Sequence, residues 1–450
     1  MKKYVDLLNG NILTALTELA VPIMATSLVQ MAYNLTDMAW IGRVGSSAVA
    51  AVGGAGMYTW LSAGVVTLAK MGGQVKVAQS LGEGNKGEAA RYGGAAIQMT
   101  MALGILYGLV MVLFTRPLLN FFQLSDEATL VQAVDYLRIA GGLIFFTFIN
   151  QTLTCLFTAI GNSKPTFFAN CIGLAANMIL DPLLIFGIGP IPAMGAAGAA
   201  IATVTAQAIV TAAMIWNVKR DRILFDGIQV FQRPELGCMK TITAIGLPAA
   251  LQSSLYCGIS MVLTRFVAAW GVTAVAVQRV GGQIESISWM AAEGFGTAIN
   301  AFVAQNYGGG RYSRVRKGYF SAAGLMVVWG AITTFLLVGF CGPLFRLFIT
   351  EPEVVPAGMD YLRIIGYGQL FMCMELMTVG ALSGLGKTFL CSVISISLTS
   401  ARIPLAMFLG ATSLGLNGIW WALTISSVAK GLVFFINYMM ILKKLPGEEL

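Results

Sequence analysis

Apolar blocks of about 20 residues recur from end to end of this chain, and a helix of that length is what crosses a bilayer. The 450 residues are 57% hydrophobic and only 11% charged, where soluble domains carry roughly 25% charged residues. The chain therefore reads as an all-α polytopic membrane protein. Twelve candidate spans are expected, at 14–40, 47–72, 91–115, 134–160, 166–187, 195–217, 241–269, 274–305, 316–341, 358–384, 387–410 and 417–442.

The basic residues follow membrane topology, so the +8 charge calls for no nucleic acid. With the N-terminus in the cytoplasm, eighteen Lys and Arg fall on the inner side, from Lys2 and Lys3 through Lys219, Arg220 and Arg222 to Lys443 and Lys444. Only Arg43, Arg116 and Arg346 fall outside. That asymmetry puts both termini inside, in a plasma membrane. The first apolar stretch is too long for a signal peptide and reads as an uncleaved helix. The seven cysteines are scattered without metal-ligand spacing and read as free thiols.

The longest charged loop, Lys219 to Lys240, separates two halves that repeat. Pro22 matches Pro248, and Ala48–Val49–Ala50 matches Ala274–Val275–Ala276, both 226 residues on. Tyr136–Leu137–Arg138–Ile139 matches Tyr361–Leu362–Arg363–Ile364 at 225, and Gly195 with Gly198 matches Gly415 with Gly418. The expected domains are 1–218, a 219–240 cytoplasmic linker, and 241–450. Six spans per half make the repeat parallel, with a pseudo-twofold along the membrane normal, which is a transporter signature.

The halves differ in charge. Asp37 lies late in span one, with Tyr33 one turn before it, and an acid at such depth is a functional-site hypothesis. Span five carries Asn177 and Asp181 on one face before Pro182, which usually kinks a membrane helix and frees carbonyls. Span six carries Thr203 on a face of small residues. The corresponding C-terminal positions are Leu263 and, near Asp181's, Ile403. Two carboxylates with amide and hydroxyl neighbours make a hard oxygen site for a cation or a protonatable pair. With no histidine in the chain, proton coupling must use carboxylates. The structural alternatives are an interfacial Asp37, a helix-end Asp181, and interhelical hydrogen bonds for Asn177 and Thr203.

These features resemble the multidrug and toxic compound extrusion (MATE) family, in its prokaryotic DinF-type and MepA-like branch. The resemblance spans the chain and rests on four motifs. They are the acid of span one with its tyrosine, the Asn-x-x-x-Asp-Pro of span five, the Gly-Ala-Ala-x-Ala-Thr of span six, and Ala304–Gln305–Asn306–Tyr307–Gly308. It implies two six-helix bundles arranged as a V, exporting amphipathic, often cationic, organic compounds in exchange for H⁺ or Na⁺. It also implies that Asp37, Asn177, Asp181 and Thr203 bind the cation, with Tyr33 in their network. Span seven has Leu255–Tyr256–Cys257 where the NorM-like branch has Glu, so a cation site there is not expected.

In the C-terminal half, Glu285, Trp289 and Glu293 form a stripe at four-residue steps, and Glu375 lies in span ten. An anionic face with an aromatic suits a lipophilic cation. These residues, with Gln151 of span four, are the candidate cargo contacts. The structural alternative pairs one of these acids with Arg279 or Arg402. Trp420–Trp421 are expected at a membrane interface. No phosphate loop, catalytic triad or metal motif is visible, so the reading is a secondary transporter and not an enzyme. It needs no cofactor beyond the coupling ion, acts as a monomer, and has drugs or metabolites and the bilayer as partners. The other readings are a lipid or lipid-linked saccharide flippase of the wider superfamily and, in a different class, a membrane enzyme or a passive channel.

Overall fold

In the computed structural model the described residues are 4–120, 127–187, 192–349 and 351–446, and they are almost entirely helical. Lys2 and Lys3 lie outside them. The first half forms α1 (Ile12–Val44), α2 (Ser46–Gly82), α3 (Lys86–Leu113), α4 (Thr115–Asn120), α5 (Glu127–Tyr136), α6 (Phe145–Ala159), α7 (Lys164–Ile185) and α8 (Gly195–Val218). The second forms α9 (Leu236–Ala268), α10 (Val272–Gly308), α11 (Tyr312–Gly339), α12 (Cys341–Arg346), α13 (Val355–Gly366), α14 (Gln369–Gly384), α15 (Thr388–Ser400), α16 (Arg402–Gly410) and α17 (Leu416–Lys444).

At two of the helix starts a polar side chain serves an orphan donor of the first turn. Asn11 Oδ1 accepts from the Thr14 N–H at 3.2 Å ahead of α1. At α3, Asn85 Oδ1 accepts from the Glu88 N–H at 3.0 Å, while Asn85 Nδ2 donates to Glu88 Oε2 at 3.1 Å. This is a local cap of the Asn-x-x-Glu kind. Before α1, the N–H groups of Asn9 and Leu8 donate to Asp6 Oδ1, and these bonds hold its carboxyl below the usual range.

The repeat is present in the backbone. α1 and α9 each have 33 residues, α2 and α10 37, α3 and α11 28, and α4 and α12 6. Left-handed glycines recur at the same spacing: Gly45 with Gly271 and Gly84 with Gly310, each 226 apart. Each turns the chain between two long helices in a conformation that a Cβ disfavours.

Among the described residues, nine helical segments are long and apolar enough to span a membrane. Two further helix pairs pass that test only when taken together, bent by 42° between 127–141 and 145–159 and by 48° between 355–366 and 369–384, and each is one broken span or a re-entrant loop. The first bend follows a π-helical stretch, Leu137–Gly141. With each bent pair counted as one span, eleven of the twelve expected spans are accounted for. The twelfth, α10, is long enough but carries Arg279, Glu285 and Glu293. Trp420 corrects the interface expectation. It is fully buried, edge-on to Tyr361 at 4.8 Å between centroids, because Tyr361 presents its ring to α17 from the bent span.

By internal contacts the chain divides into two compact units, Ala25–Ala250 with Tyr4, and Val5–Met24 with Leu251–Leu450. The first turns of α1 belong to the second unit, where Leu16, Leu19, Ala20 and Ile23 pack with Phe295, Ile299 and Tyr319. The loop after α8 belongs to the first. Its organiser is Asp221, 2% exposed. Asp221 Oδ2 accepts from the N–H groups of Ile223, Leu224 and Phe225 at 3.0–3.2 Å, and Oδ1 from the Tyr4 hydroxyl at 2.8 Å. Asp221→Ala orphans these donors and is expected to cost about 2–4 kcal/mol. The check is a lower melting temperature in detergent with new protease cleavage within 219–228. Unchanged melting and no cleavage would refute this account of the loop.

Candidate functional site

The N-terminal acids meet in the first unit. α1 presents Tyr33 and Asp37 one turn apart, α7 presents Asn177 and Asp181 one turn apart, and α8 brings Thr203. α7 and α8 can approach closely because Gly198 has no side chain; a Cβ there would fall on the Leu184 carbonyl. Asn177 and Asp181 are fully buried, and Asn177 Nδ2 donates to Asp181 Oδ1 at 3.1 Å. The Asp37 and Asp181 carboxylates lie within reach of each other, and the Tyr33 hydroxyl lies beside Thr203 and Asp37. Ile41, Ile185, Ala199 and Ala200, each about one helical turn from Asp37, Asp181 or Thr203, pack together in one apolar cluster.

Each of the five residues holds a buried oxygen without a hydrogen-bond partner: Tyr33 Oη, Asp37 Oδ1, Asn177 Oδ1, Asp181 Oδ2 and Thr203 Oγ1. Native structures leave few such atoms, so five converging from three helices need an explanation. Among the described residues no Lys or Arg nitrogen lies within 4.0 Å of either carboxylate. Nor does any group of three His, Cys, Asp or Glu side chains suit a metal ion. The donors are all hard oxygens, two of them carboxylates. That set suits a hydrated-type monovalent cation or a shared proton, not a soft metal.

Tyr136 also belongs here, and reading the sequence for acids missed it. It is 6% exposed, packs in the same apolar cluster and lies in the field of both carboxylates. Its repeat mate, Tyr361, donates to Glu285 Oε2 at 3.4 Å. The repeat match marks Tyr136 in the sequence but names none of its neighbours.

The C-terminal candidates do not form one group. Glu285 faces the interior of the second unit, where Gln369 Nε2 donates to its Oε1 at 3.1 Å. Trp289 and Glu293 on the same helix are exposed. Glu375 is buried and ion-paired with Lys430 of α17 at 2.7 Å. The expected partners were Arg279 and Arg402. Arg402 instead donates to the Ser426 and Ser427 hydroxyls, each at 3.1 Å, and lies over Tyr256. Arg279 is exposed. Lys430 prevails because it lies one turn along α17 from those serines, facing α14. In the first unit, Gln151 Oε1 accepts from Lys70 Nζ at 2.7 Å. All seven cysteines are free.

The model of the MatE family matches this chain twice, at residues 22–183 and 248–408, in register with the internal repeat. A protein named "Probable multidrug resistance protein NorM" from Thermotoga maritima is 28% identical over 435 residues, covering 94% of this chain and 92% of that one. An "FAD transporter" from Shewanella oneidensis is 25% identical over 447 residues, covering 97% and 96%. The solved outward-facing structure of a multidrug resistance MATE family transporter superposes with a TM-score of 0.91 over 99% of each chain, at 22% identity.

Proposed function

Because this chain belongs to the MatE family, we propose that it is a secondary active exporter of amphipathic organic compounds, driven by inward movement of H⁺ or Na⁺. It is a multi-pass membrane protein, and the coupling site of this reading is Asp37, Asn177, Asp181 and Thr203, with Tyr33 in their network. The observation that carries the reading is the convergence of five unpartnered buried oxygens, two of them carboxylate oxygens, with no described cation beside them. Two carboxylates brought together out of water repel each other, and a bound Na⁺ or proton relieves that repulsion. Cation entry and exit then bias the packing of α1, α7 and α8, and such a bias is what coupling to transport requires.

The missing acid at Leu255–Tyr256–Cys257 supports the DinF-type and MepA-like branch, with its coupling site in the N-terminal half. Both termini are read as cytoplasmic from the Lys and Arg asymmetry. Cargo charge is left open by the relatives, since one is named for FAD, an anionic dinucleotide.

The test is ethidium efflux from vesicles containing the full chain, with inward H⁺ and Na⁺ gradients imposed separately. Efflux under one gradient and not without it is expected, and it identifies the coupling ion. Efflux that persists unchanged when both gradients are abolished would show a passive pathway.

A further inference from the structure

We propose that Lys70, anchored by Gln151, forms a subsite for an anionic group, carboxylate or phosphate, on the exported cargo; this rests on the exporter reading above. Beyond the basic residues assigned to the two sides of the membrane, seven fall within the expected spans: Lys70, Arg138, Arg265, Arg279, Arg363, Arg402 and Lys430. Four of them, Arg138, Arg265, Arg279 and Arg363, are exposed. Arg402 and Lys430 are buried and engaged, by two serines and by Glu375. Lys70 fits neither pattern. It is half-buried on α2, about 18 Å along the helix from its C-terminal end. Its one recorded acceptor is the neutral Gln151 oxygen, and among the described residues no carboxylate lies within 4.0 Å. An ammonium has three donors, so two remain for a ligand.

The repeat shows what the backbone holds at this place when no ligand has to be met. Lys70, Gln151 and Cys155 correspond to Gly296, Leu376 and Gly380, at the repeat spacings of 226, 225 and 225. In the second unit these three make a tight helix crossing. A Cβ on Gly296 would lie 2.8 Å from the Leu376 carbonyl oxygen, and one on Gly380 would fall on the Gly296 carbonyl. Small residues at such a crossing are the ordinary solution for membrane helices. The first unit gives up that contact and inserts a long cation, an amide and a thiol. A charge placed in a span at the expense of packing, without an acid to balance it, is explained by a ligand that brings the acid.

The geometry also fits an amphipathic anion. Gln151 fixes the ammonium on one side through a 2.7 Å bond, and Cys155, which lies near Lys70, offers a polarizable thiol. A carboxylate or phosphate docking on Lys70 would gain charge-assisted hydrogen bonds in a poorly hydrated setting.

The test uses the full-length protein in nanodiscs of neutral lipid and a matched pair of fluorescent probes, dansyl-leucine and dansyl-leucinamide. They share the apolar body and differ in the carboxylate. Wild type is expected to bind the carboxylate more tightly. Lys70→Gln should weaken it roughly tenfold to a hundredfold and remove the preference over the amide, while Lys70→Arg keeps the preference. Equal binding of both probes by wild type, no binding of the carboxylate, or equal weakening of both by Lys70→Gln would overturn the proposal. Gradient-driven efflux of ethidium and of dansyl-leucine by wild type is run alongside. Efflux of either dye with a failed binding test refutes the anionic subsite alone, and efflux of neither refutes the exporter reading itself.

Discussion

Asp37→Asn vesicles should export ethidium no faster than protein-free vesicles, under whichever ion gradient drives the wild type. Asparagine matches aspartate in shape and can still hydrogen-bond, so the packing of α1 against its neighbours survives. It cannot take up and release a proton, and it offers a cation no charge. Asp181→Asn should behave likewise, because the two carboxylates lie within reach of each other and Asn177 Nδ2 can still donate to the amide oxygen at position 181. Thr203→Ala removes a neutral oxygen and should slow efflux without abolishing it. The decisive control is folding, checked by size-exclusion elution and melting temperature. Normal folding with normal coupled efflux in Asp37→Asn would make this acid structural and the proposed coupling site wrong.

The largest stability effect is expected at the Glu375–Lys430 pair. Both side chains are more than nine-tenths buried, and their 2.7 Å contact replaces the water that each charge lost on folding. Removing one partner leaves the other charge buried and uncompensated, at a cost of about 3–5 kcal/mol. Glu375→Leu and Lys430→Met, each alone, should therefore sharply lower the melting temperature in detergent. Together they should recover most of the loss, since two apolar residues of similar size leave nothing unpaired. Transport by the double variant then separates two roles for Glu375. Restored folding with ethidium efflux lost would make it a cargo contact as well as an ion-pair partner. Restored folding with efflux intact would leave it purely structural. If the single variants melt like wild type, the pair carries no stability and the argument from burial fails.

What could be read in advance was whatever leaves a linear or periodic trace. Apolar length marked the spans, and tandem identity marked the halves. The acids stood out because a charge in an apolar run has no ordinary reason to be there. Depth along a helix is legible in this way, but partnership across helices is not. Lys430 and Glu375 are 55 residues apart, and nothing in either span names the other; the nearer guess, Arg402, is satisfied by two serines of α17. Tyr136 was visible as a repeat match, yet a tyrosine in a membrane span is too ordinary to announce its neighbours. The two bends were hidden because hydropathy averages over them, and a π-helical turn such as Leu137–Gly141 changes no residue type. α10 is the converse case: its segment 274–305 reads as a span in the sequence, yet with Arg279, Glu285 and Glu293 it falls short of the length-and-apolarity criterion that its repeat mate α2 meets.

The matching helix lengths and turn glycines of the two halves have an evolutionary reading. Were each half a six-span unit copied in tandem, the even number of crossings would insert the copy in the same orientation with its loops on the same sides. Carried in one chain, the two copies would be free to diverge. Leu263 stands where Asp37's twin would be, and Gly296 where that of Lys70 would be, while Gly45 and Gly271 remain the same residue. Within one gene, descent has held the hinges of the chain in common and let each copy specialise in charge.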